Sequence, residues 1–502
     1  MFIDGKWTES SDDKTFDVYN PANGRLLAKV AKGTREDVKE AIDAARRAFD
    51  NGPWGRTTPG ERAEILWKLA GLVEKELEFL SRLESENVGK TLKYAKGSDL
   101  PFIIDNLKFF AGASRILSGT SAGEYVDFHE GSEHKPMGTS IIRREPVGVV
   151  GAIVPWNYPL YIAVWKLAPA LAAGNTLVIK PASYTPLTML EFARLAEKAG
   201  VPKGVLNVVT GSGEVIGSEL VSSEKVDMVA LTGDTSTGRE IMAAASSNVK
   251  RVHLELGGKA PMIVLPDADI EAAAEGAVVG GFWNTGQDCT SVTRVYVHEK
   301  KKTKFVELLK RKTSNFKVGD PSKDSTDMGP LISEKQRQRV EDYVHSGIEE
   351  GAKLVCGGRK PVDRNLADGW FFEPTIFDGV HQDMRICKEE IFGPVICVSS
   401  YSTINEAIEK ANDTIYGLAS SVWGSDIRDC MHIARELDFG TVWINEHGVL
   451  ASEMPHGGFK QSGFGKDLSL QSMEDFTRIK HIYVDLTGMK IKPWHSVVYS
   501  SK

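Results

Sequence analysis

The chain has 502 residues, 41% of them hydrophobic and 26% charged, with a formal net charge of -7 and five cysteines. That length suggests roughly three units of about 150 residues with sizeable cores. The acidic balance, with no basic run longer than Lys300-Lys301-Lys302, argues against a protein that tracks nucleic acid.

The opening MFIDGKWTES carries Asp4 and lacks an apolar core, so it does not read as a signal peptide. Apolar residues at helical spacing predict helices over 35–50 and 61–84. GTSAG, residues 119–123, matches the G-x-S-x-G nucleophile elbow, which needs a strand before it and a helix after it. Here a helix-like FFAGASRIL precedes and a polar stretch follows, so Ser121 is set aside. The stretch 123–146 and the tail 476–488 read as additions, ribbons that could pair with another subunit.

Residues 148–174 are the most apolar region, yet Pro155, Asn157, Pro159 and Lys166 interrupt it. A membrane span does not fit that pattern; a buried strand, a tight loop and a buried helix do. VGVVGAIVP, NTLVIKP, VLNVVTG and MVALTG are short β-rich runs ending at Pro or Gly, with helical TPLTMLEFARLAEKAG among them. This alternation between about 146 and 256 implies βαβ units and a parallel sheet. A second α/β region follows Gly257, with strands near APMIVLP, TRVYVHE, ICVSSY, ASSVWG and GTVWIN. The five cysteines are odd in number and form no C-x-x-C pair. They point to reduced thiols in a cytoplasmic protein. No His/Cys cluster has zinc-ligand spacing, so no metal is expected.

Doubly wound sheets bind nucleotides at the carboxyl ends of their strands. Three loops fit: NTLVIKPAS with Lys180, LNVVTGSGEVIG with Gly211, Gly213 and Gly217, and MVALTGDTSTGRE with Gly233 and Gly238. Glycines let a phosphate approach the backbone, and helix N–H groups attract its charge. Cys289, in WNTGQDCTSVTR, lies in a polar turn after a helix-like EGAVVGGFW. A buried small residue, a spare thiol and a nucleophile are all open for it. Glu255, in HLELGGKAP at the end of a strand-like run, is a candidate base, or a solvated glutamate. The two glycines after it would let the chain turn sharply.

PWNYPL, WKLAPALAAGNTLVIKP, LTG…TG, ELGGK, GQDC, EEIFGPV and MPHGGFKQSGFGKD together resemble an NAD(P)-dependent aldehyde dehydrogenase, in order along nearly the whole chain. FFAGASR, AGEY and SEMPHGG…SGFGKD resemble most the aminobutyraldehyde and betaine-aldehyde branch. The resemblance implies an α/β fold. It has a Rossmann-like cofactor domain (1–122 and 147–256), an α/β catalytic domain (257–460) and a β-ribbon oligomerisation element (123–146 and 476–488). It also implies a homodimer or homotetramer and a small aldehyde substrate.

The resemblance assigns roles as well. Cys289 matches the nucleophile that passes through a thiohemiacetal and a thioester. Asn157 matches the side-chain donor of the oxyanion hole, and Glu255 the base that activates water. Lys166 is expected near the thiol, favouring the thiolate. For the cofactor, Lys180 matches the grip on the adenosine ribose, Glu390 that on the nicotinamide ribose, and Phe392 packs beside it. Val154, Pro155, Trp156, Gly213 and Gly233 are expected along the cofactor cleft.

Two positions depart from the pattern. Ser183 stands where NAD-preferring members carry an acid that repels a 2′-phosphate, so NADP is expected to be tolerated alongside NAD. Asp234 stands where the family usually has serine, and is expected to cap its helix and turn away from the phosphates.

By position, the substrate tunnel should include Asp99, Tyr158, Ile162, Trp165, Trp283, Asp288, Thr290 and Leu450. Aromatic walls suit an alkyl chain or, by cation–π attraction, a cation. Phe102 stands where amino-aldehyde relatives place a second acid. A carboxylate beside the sulfur would raise the thiol pKa. In an extended segment neighbouring side chains face opposite ways, so Asp288 is expected to point into the tunnel or to bond backbone, away from the sulfur. The expected reaction is oxidation of an ω-amino or trimethylammonio aldehyde to its acid. A dehydrogenase of neutral aliphatic or aromatic aldehydes, and a non-catalytic binding protein on the same fold, are the alternatives.

Overall fold

The computed structural model describes residues 1–117, 119–126, 136–492, 494, 495 and 498. Its first sheet is built on five parallel strands in spatial order Leu206–Val208, Thr176–Lys180, Val149–Ile153, Met228–Thr232 and Arg251–Glu255. In the sequence Val149–Ile153 comes first, so the winding reverses between it and Met228–Thr232. Crevices at such reversals, at the carboxyl ends of the strands, are where doubly wound sheets take ligands. The strands read as unbroken apolar runs because both faces are covered. Helix Pro159–Ala173 is apolar except for Lys166 for the same reason: it lies under helices Pro59–Lys75 and Leu100–Ser114. The strand, turn and buried helix expected of 148–174 are all present. Among the described residues no helix is long and apolar enough to cross a membrane.

The sheet is extended at both edges by antiparallel pieces. Phe2–Ile3 joins one side and Gly463–Phe464 the other, against Arg251–Glu255. The chain therefore returns from its second region to the first, a contact absent from the boundaries drawn on sequence alone. The second sheet has seven strands in the order Lys353–Cys356, Thr375–Asp378, Val395–Tyr401, Val292–His298, Ala260–Val264, Ala419–Trp423 and Thr441–Ile444. All its neighbours are parallel except the first pair.

One expectation is corrected. The helix expected over 61–84 is two helices, Pro59–Lys75 and Leu77–Val88, broken at Glu76. The candidate ribbons pair first with each other: Thr477–Asp485 lies antiparallel to Pro136–Pro146 over nine residue pairs, and Thr120–Val126 covers the other side. The part of the first ribbon over 127–135 lies outside the described residues. Ser121 lies inside Thr120–Val126, opposite Ile141, so GTSAG is ribbon and not a strand-to-helix elbow.

Candidate active site

Cys289 is presented by a loop with unusual backbone geometry. After helix Ile270–Phe282, Asn284, Thr285 and Gly286 all have positive φ (47°, 61° and 66°). Two of these are not glycine, a conformation that costs ~1–3 kcal/mol per residue and persists only where the surroundings fix it. They do so here. Asn284 Nδ2 donates to Asn157 O at 3.0 Å, Thr285 Oγ1 to Gly329 O at 3.1 Å, and Ile332 N to Gln287 Oε1 at 2.9 Å. The expected extended segment is in fact a turn, closed by Ser291 N donating to Asp288 O at 3.1 Å. His447 braces it. Its Nε2 reaches Thr290 O at 2.7 Å and its Nδ1 reaches Ser421 Oγ at 3.0 Å, while burial holds its pKa down.

The Cys289 thiol donates to Glu255 Oε1 at 3.3 Å. Burial, then the carboxylates of Glu255 and Asp288, push the thiol pKa well above its ordinary value, so the resting sulfur is protonated. Glu255 is buried at the end of Arg251–Glu255, and its Oε2 has no partner among the described residues. His456 Nε2 lies 3.7 Å from Glu255 Oε1, too far for a hydrogen bond. Asn157 Nδ2 donates to Gln287 O at 3.0 Å. An amide nitrogen carries two hydrogens, so a second donor remains on a residue that lines the same cleft as Cys289.

The glycines after Glu255 do not have left-handed backbones; they permit close approach. A Cβ on Gly257 would stand 2.3 Å from Glu390 Oε2, and one on Gly258 would stand 2.1 Å from Cys289 O. These two glycines bring base, nucleophile and Glu390 together. Glu390 Oε1 accepts from Gly258 N at 2.9 Å, and burial pushes its pKa up to about 7.

A cleft of about 740 Å³ opens over the carboxyl ends of the first sheet. Pro155, Trp156, Gly233, Asp234, Glu390 and Phe392 line it together with Asn157 and Cys289. Phe392 has φ 58° and meets Trp156 edge-on at 5.2 Å. Gln336 Nε2 and Arg339 Nη2, from helix Glu334–Glu349, fix this loop by donating to Phe392 O at 2.8 Å and Glu390 O at 2.7 Å. Neither was legible beforehand, although QRQR at the start of a capped helix was the available signal. Asp234 caps helix Thr235–Ala245, accepting from Ser236 N at 2.7 Å.

Val154, Lys180, Ser183 and Gly213 lie at or after the carboxyl ends of Val149–Ile153, Thr176–Lys180 and Leu206–Val208. Lys180 Nζ donates to Pro181 O at 3.0 Å, and burial lowers its pKa to about 8. Ser183 Oγ donates to Gly211 O at 2.9 Å, Val154 N donates to Lys180 O at 3.1 Å, and Gly213 opens the turn Gly213–Gly217.

A second, narrow cavity of about 80 Å³ reaches Cys289 from the other side. All eight residues expected in the tunnel line it: Asp99, Tyr158, Ile162, Trp165, Trp283, Asp288, Thr290 and Leu450. Ser98, Tyr161, Gly448 and His456 line it as well. Cys289 and Ile162 border both cavities, so the thiol sits where they meet. Asp288 faces this cavity and accepts from Thr290 N and Tyr158 Oη, each at 2.7 Å, but its charge still acts on the thiol, against the expectation that it would stand away from the sulfur. Asp99 is not at an open mouth. It is buried and paired with equally buried Lys90 at 2.5 Å, and Lys90 Nζ also lies 4.1 Å from the centre of the Tyr158 ring. Phe102 stacks on Tyr161.

Lys166 is placed differently from the expectation. Its ammonium is fully buried and bonded to Asp467 Oδ2 at 2.6 Å. Carboxylates, not Lys166, are the charges that act on the thiol. His253 Nε2 approaches the other oxygen of Asp467 at 3.3 Å. Burial and Lys166 work against a charged His253, but the carboxylates prevail and its pKa is raised.

The aldehyde dehydrogenase family profile matches residues 7–482. A betaine aldehyde dehydrogenase of Bacillus subtilis is 46% identical over 483 residues, 96% of either chain. A phenylacetaldehyde dehydrogenase of Pseudomonas fluorescens is 42% identical over 485 residues, 96% of this chain and 95% of its own. Among solved structures, a betaine aldehyde dehydrogenase of Staphylococcus aureus with NAD+ and a BME-modified cysteine superposes with TM-score 0.94. It is 40% identical and covers 98% of both chains. The two-sheet architecture with its three-stranded ribbon is thus that of known relatives, and this chain belongs to the aldehyde dehydrogenase family.

Proposed function

We propose that this chain oxidises an ω-amino or trimethylammonio aldehyde, such as 4-aminobutanal or betaine aldehyde, to its carboxylic acid through a covalent bond to Cys289. In this reading NAD is the oxidant and NADP is tolerated. The cleft fits a dinucleotide. Thr232 Oγ1, buried on its wall, has no partner among the described residues. Half-buried Glu390 lines the cleft as a hydrogen-bond acceptor for a ribose, and Lys180 lies at the neighbouring strand end. Known relatives have been solved with NAD+.

The sulfur attacks the aldehyde carbon while its proton passes to Glu255 Oε1, the nearest acceptor at 3.3 Å. The carbonyl electrons move to oxygen, where the free Asn157 amide hydrogen and the Cys289 N–H receive them. Losing one such donor costs ~10²–10³ in rate. The nicotinamide, when bound, supplies the acceptor for the hydride that leaves the thiohemiacetal carbon. The oxygen re-forms its double bond and a thioester remains on Cys289. Glu255 loses the thiol's proton to solvent and then takes a proton from water; the hydroxide adds to the thioester, the acid leaves as the carbon–sulfur bond breaks, and the thiolate recovers the proton from Glu255.

One observation carries the substrate class. Asp288 lines the tunnel and, among the described residues, has only neutral hydrogen-bond donors as partners, with no cation in salt-bridge reach. A substrate cation about 4–5 Å away would gain a gross attraction of roughly 4 kcal/mol at an effective dielectric near 20. The aromatic walls of Tyr158, Tyr161, Trp165 and Trp283 add to it. Asp288→Asn should lower kcat/KM for 4-aminobutanal and betaine aldehyde by about 10–100-fold and leave hexanal nearly unchanged. Equal losses for all three, or a wild type that prefers neutral aldehydes, would refute this reading.

The neutral-aldehyde alternative draws on Lys90, which neutralises Asp99, and on the resemblance to the phenylacetaldehyde enzyme. We also infer a homodimer or homotetramer. Ile479 and Tyr483 on the ribbon are 63% and 54% exposed, apolar surface that a second copy would cover. The five unpaired cysteines suit a reducing compartment such as the cytoplasm.

A further inference from the structure

We propose that Glu255, Cys289 and His456 form a three-donor site that takes Zn2+, and that the metal there inhibits the enzyme reversibly. A carboxylate oxygen, a sulfur and an imidazole nitrogen of these residues all lie within 4.8 Å of one another. Sulfur and carboxylate oxygen are 3.3 Å apart, and the ring nitrogen is 3.7 Å from the same oxygen. Tetrahedral zinc with bonds of about 2.0–2.3 Å holds its ligand atoms roughly 3.3–3.6 Å apart, so two of the three spacings are nearly formed. The third closes by side-chain rotation.

An independent observation points the same way. His456 is buried, and neither ring nitrogen has a hydrogen-bond partner among the described residues. Glu255 Oε2 is buried without a partner as well. Buried polar atoms without partners are costly and rare, and His456 Nε2 is one of them, 3.7 Å from the Glu255 oxygen to which the thiol is bonded. The imidazole is held in place from behind. The Trp165 ring stands against it at 5.3 Å, and the His456 backbone exchanges hydrogen bonds with that of Asp467 at 2.8 and 2.7 Å.

The charges balance. Binding releases one proton from the thiol, and the two negative charges of thiolate and carboxylate match Zn2+, so the metal and its three ligands together carry no net charge. Cys289 and His456 both line the tunnel, so the fourth position is open to water, as at zinc sites with three protein ligands. The spacing of these residues in the sequence gives no hint of the site, because they come from three distant segments. The inhibition rests on the roles proposed above for Cys289 and Glu255; the binding does not.

The test uses the full-length enzyme, reduced with a non-chelating phosphine, and titrates Co2+ as a coloured stand-in for Zn2+. One equivalent should produce a sulfur-to-cobalt absorption band in the near ultraviolet. Zn2+ should abolish the band and protect Cys289 from iodoacetamide, and EDTA should reverse the protection. His456→Phe should weaken binding by at least about tenfold, through loss of one of three ligands; His456→Asn serves if the phenylalanine variant misfolds. No band in the wild type, or equal binding in wild type and both His456 variants, would overturn the site. Binding and protection without inhibition would keep the site and overturn the catalytic roles of Cys289 and Glu255.

Discussion

Gly257→Ala isolates one steric requirement of the cofactor cleft. The backbone at 257 is not left-handed, so alanine brings no conformational strain. Its Cβ, however, would stand 2.3 Å from Glu390 Oε2 and 2.9 Å from Cδ, where ordinary contact begins at 3.4 Å. The carboxyl group must therefore retreat by about 1 Å. Glu390 cannot do so freely. Its Oε1 holds Gly258 N at 2.9 Å, and its backbone oxygen is held by Arg339 at 2.7 Å. A retreat of about 1 Å breaks the first bond and leaves a buried donor unpaired, at ~1–3 kcal/mol. If Glu390 grips the nicotinamide ribose, Kd for NAD should rise by about 10–100-fold, with little change in Tm. The assay is NAD titration by protein fluorescence, on Gly257→Ala, Glu390→Ala and the double variant. Once the carboxyl group is gone the methyl group has nothing to strike, so the double variant should bind like Glu390→Ala. A Gly257→Ala enzyme that binds NAD within about twofold of wild type, or effects that simply add, would refute the steric reasoning.

Three further outcomes follow from other contacts. Lys166→Met leaves Asp467 buried without its main partner, a change that costs ~3–5 kcal/mol; Tm should fall by several degrees, and adding Asp467→Leu should recover part of it. Although burial opposes it, Lys166 and His253 hold Asp467 below the ordinary carboxylate range. The contribution of this pair is therefore complete above that range and is lost only as pH falls through the lowered value. Glu390, pushed by burial up to about 7, accepts best from a ribose when ionised. NAD affinity should thus rise as pH increases through about 7, and Glu390→Gln should flatten that dependence. Ser183→Asp should increase the preference for NAD over NADP by at least about tenfold through repulsion of the 2′-phosphate. A wild-type preference for NAD beyond about a thousandfold would contradict the expectation of NADP tolerance.

The parallel sheets were legible because local signals carry them. Apolar runs ending at Pro or Gly mark buried strands, and motif order placed eight residues that line one cavity. What was hidden lies in pairings across long sequence distances. Lys90, nine positions before Asp99, carries no signal that it will be buried against that carboxylate. Lys166 was expected at the thiol, but Asp467, some three hundred residues away, binds it instead. The glycines at 257 and 258 looked like turn residues. They are there because Glu390 and Cys289 O approach them, and a sequence window cannot contain that approach. The turn holding Cys289 is set by three consecutive positive φ values, of which only Gly286 announces itself.

The central claim is that an aldehyde becomes a thioester on Cys289 and leaves only when Glu255 activates water. The direct measurement is the intact and peptide mass of Glu255→Gln enzyme quenched after mixing with NAD and 4-aminobutanal. The account predicts an acyl group on Cys289 that accumulates in this variant, with one NADH formed per chain and little further turnover. An acyl group on another residue, or steady NADH formation with Cys289→Ser, would contradict it.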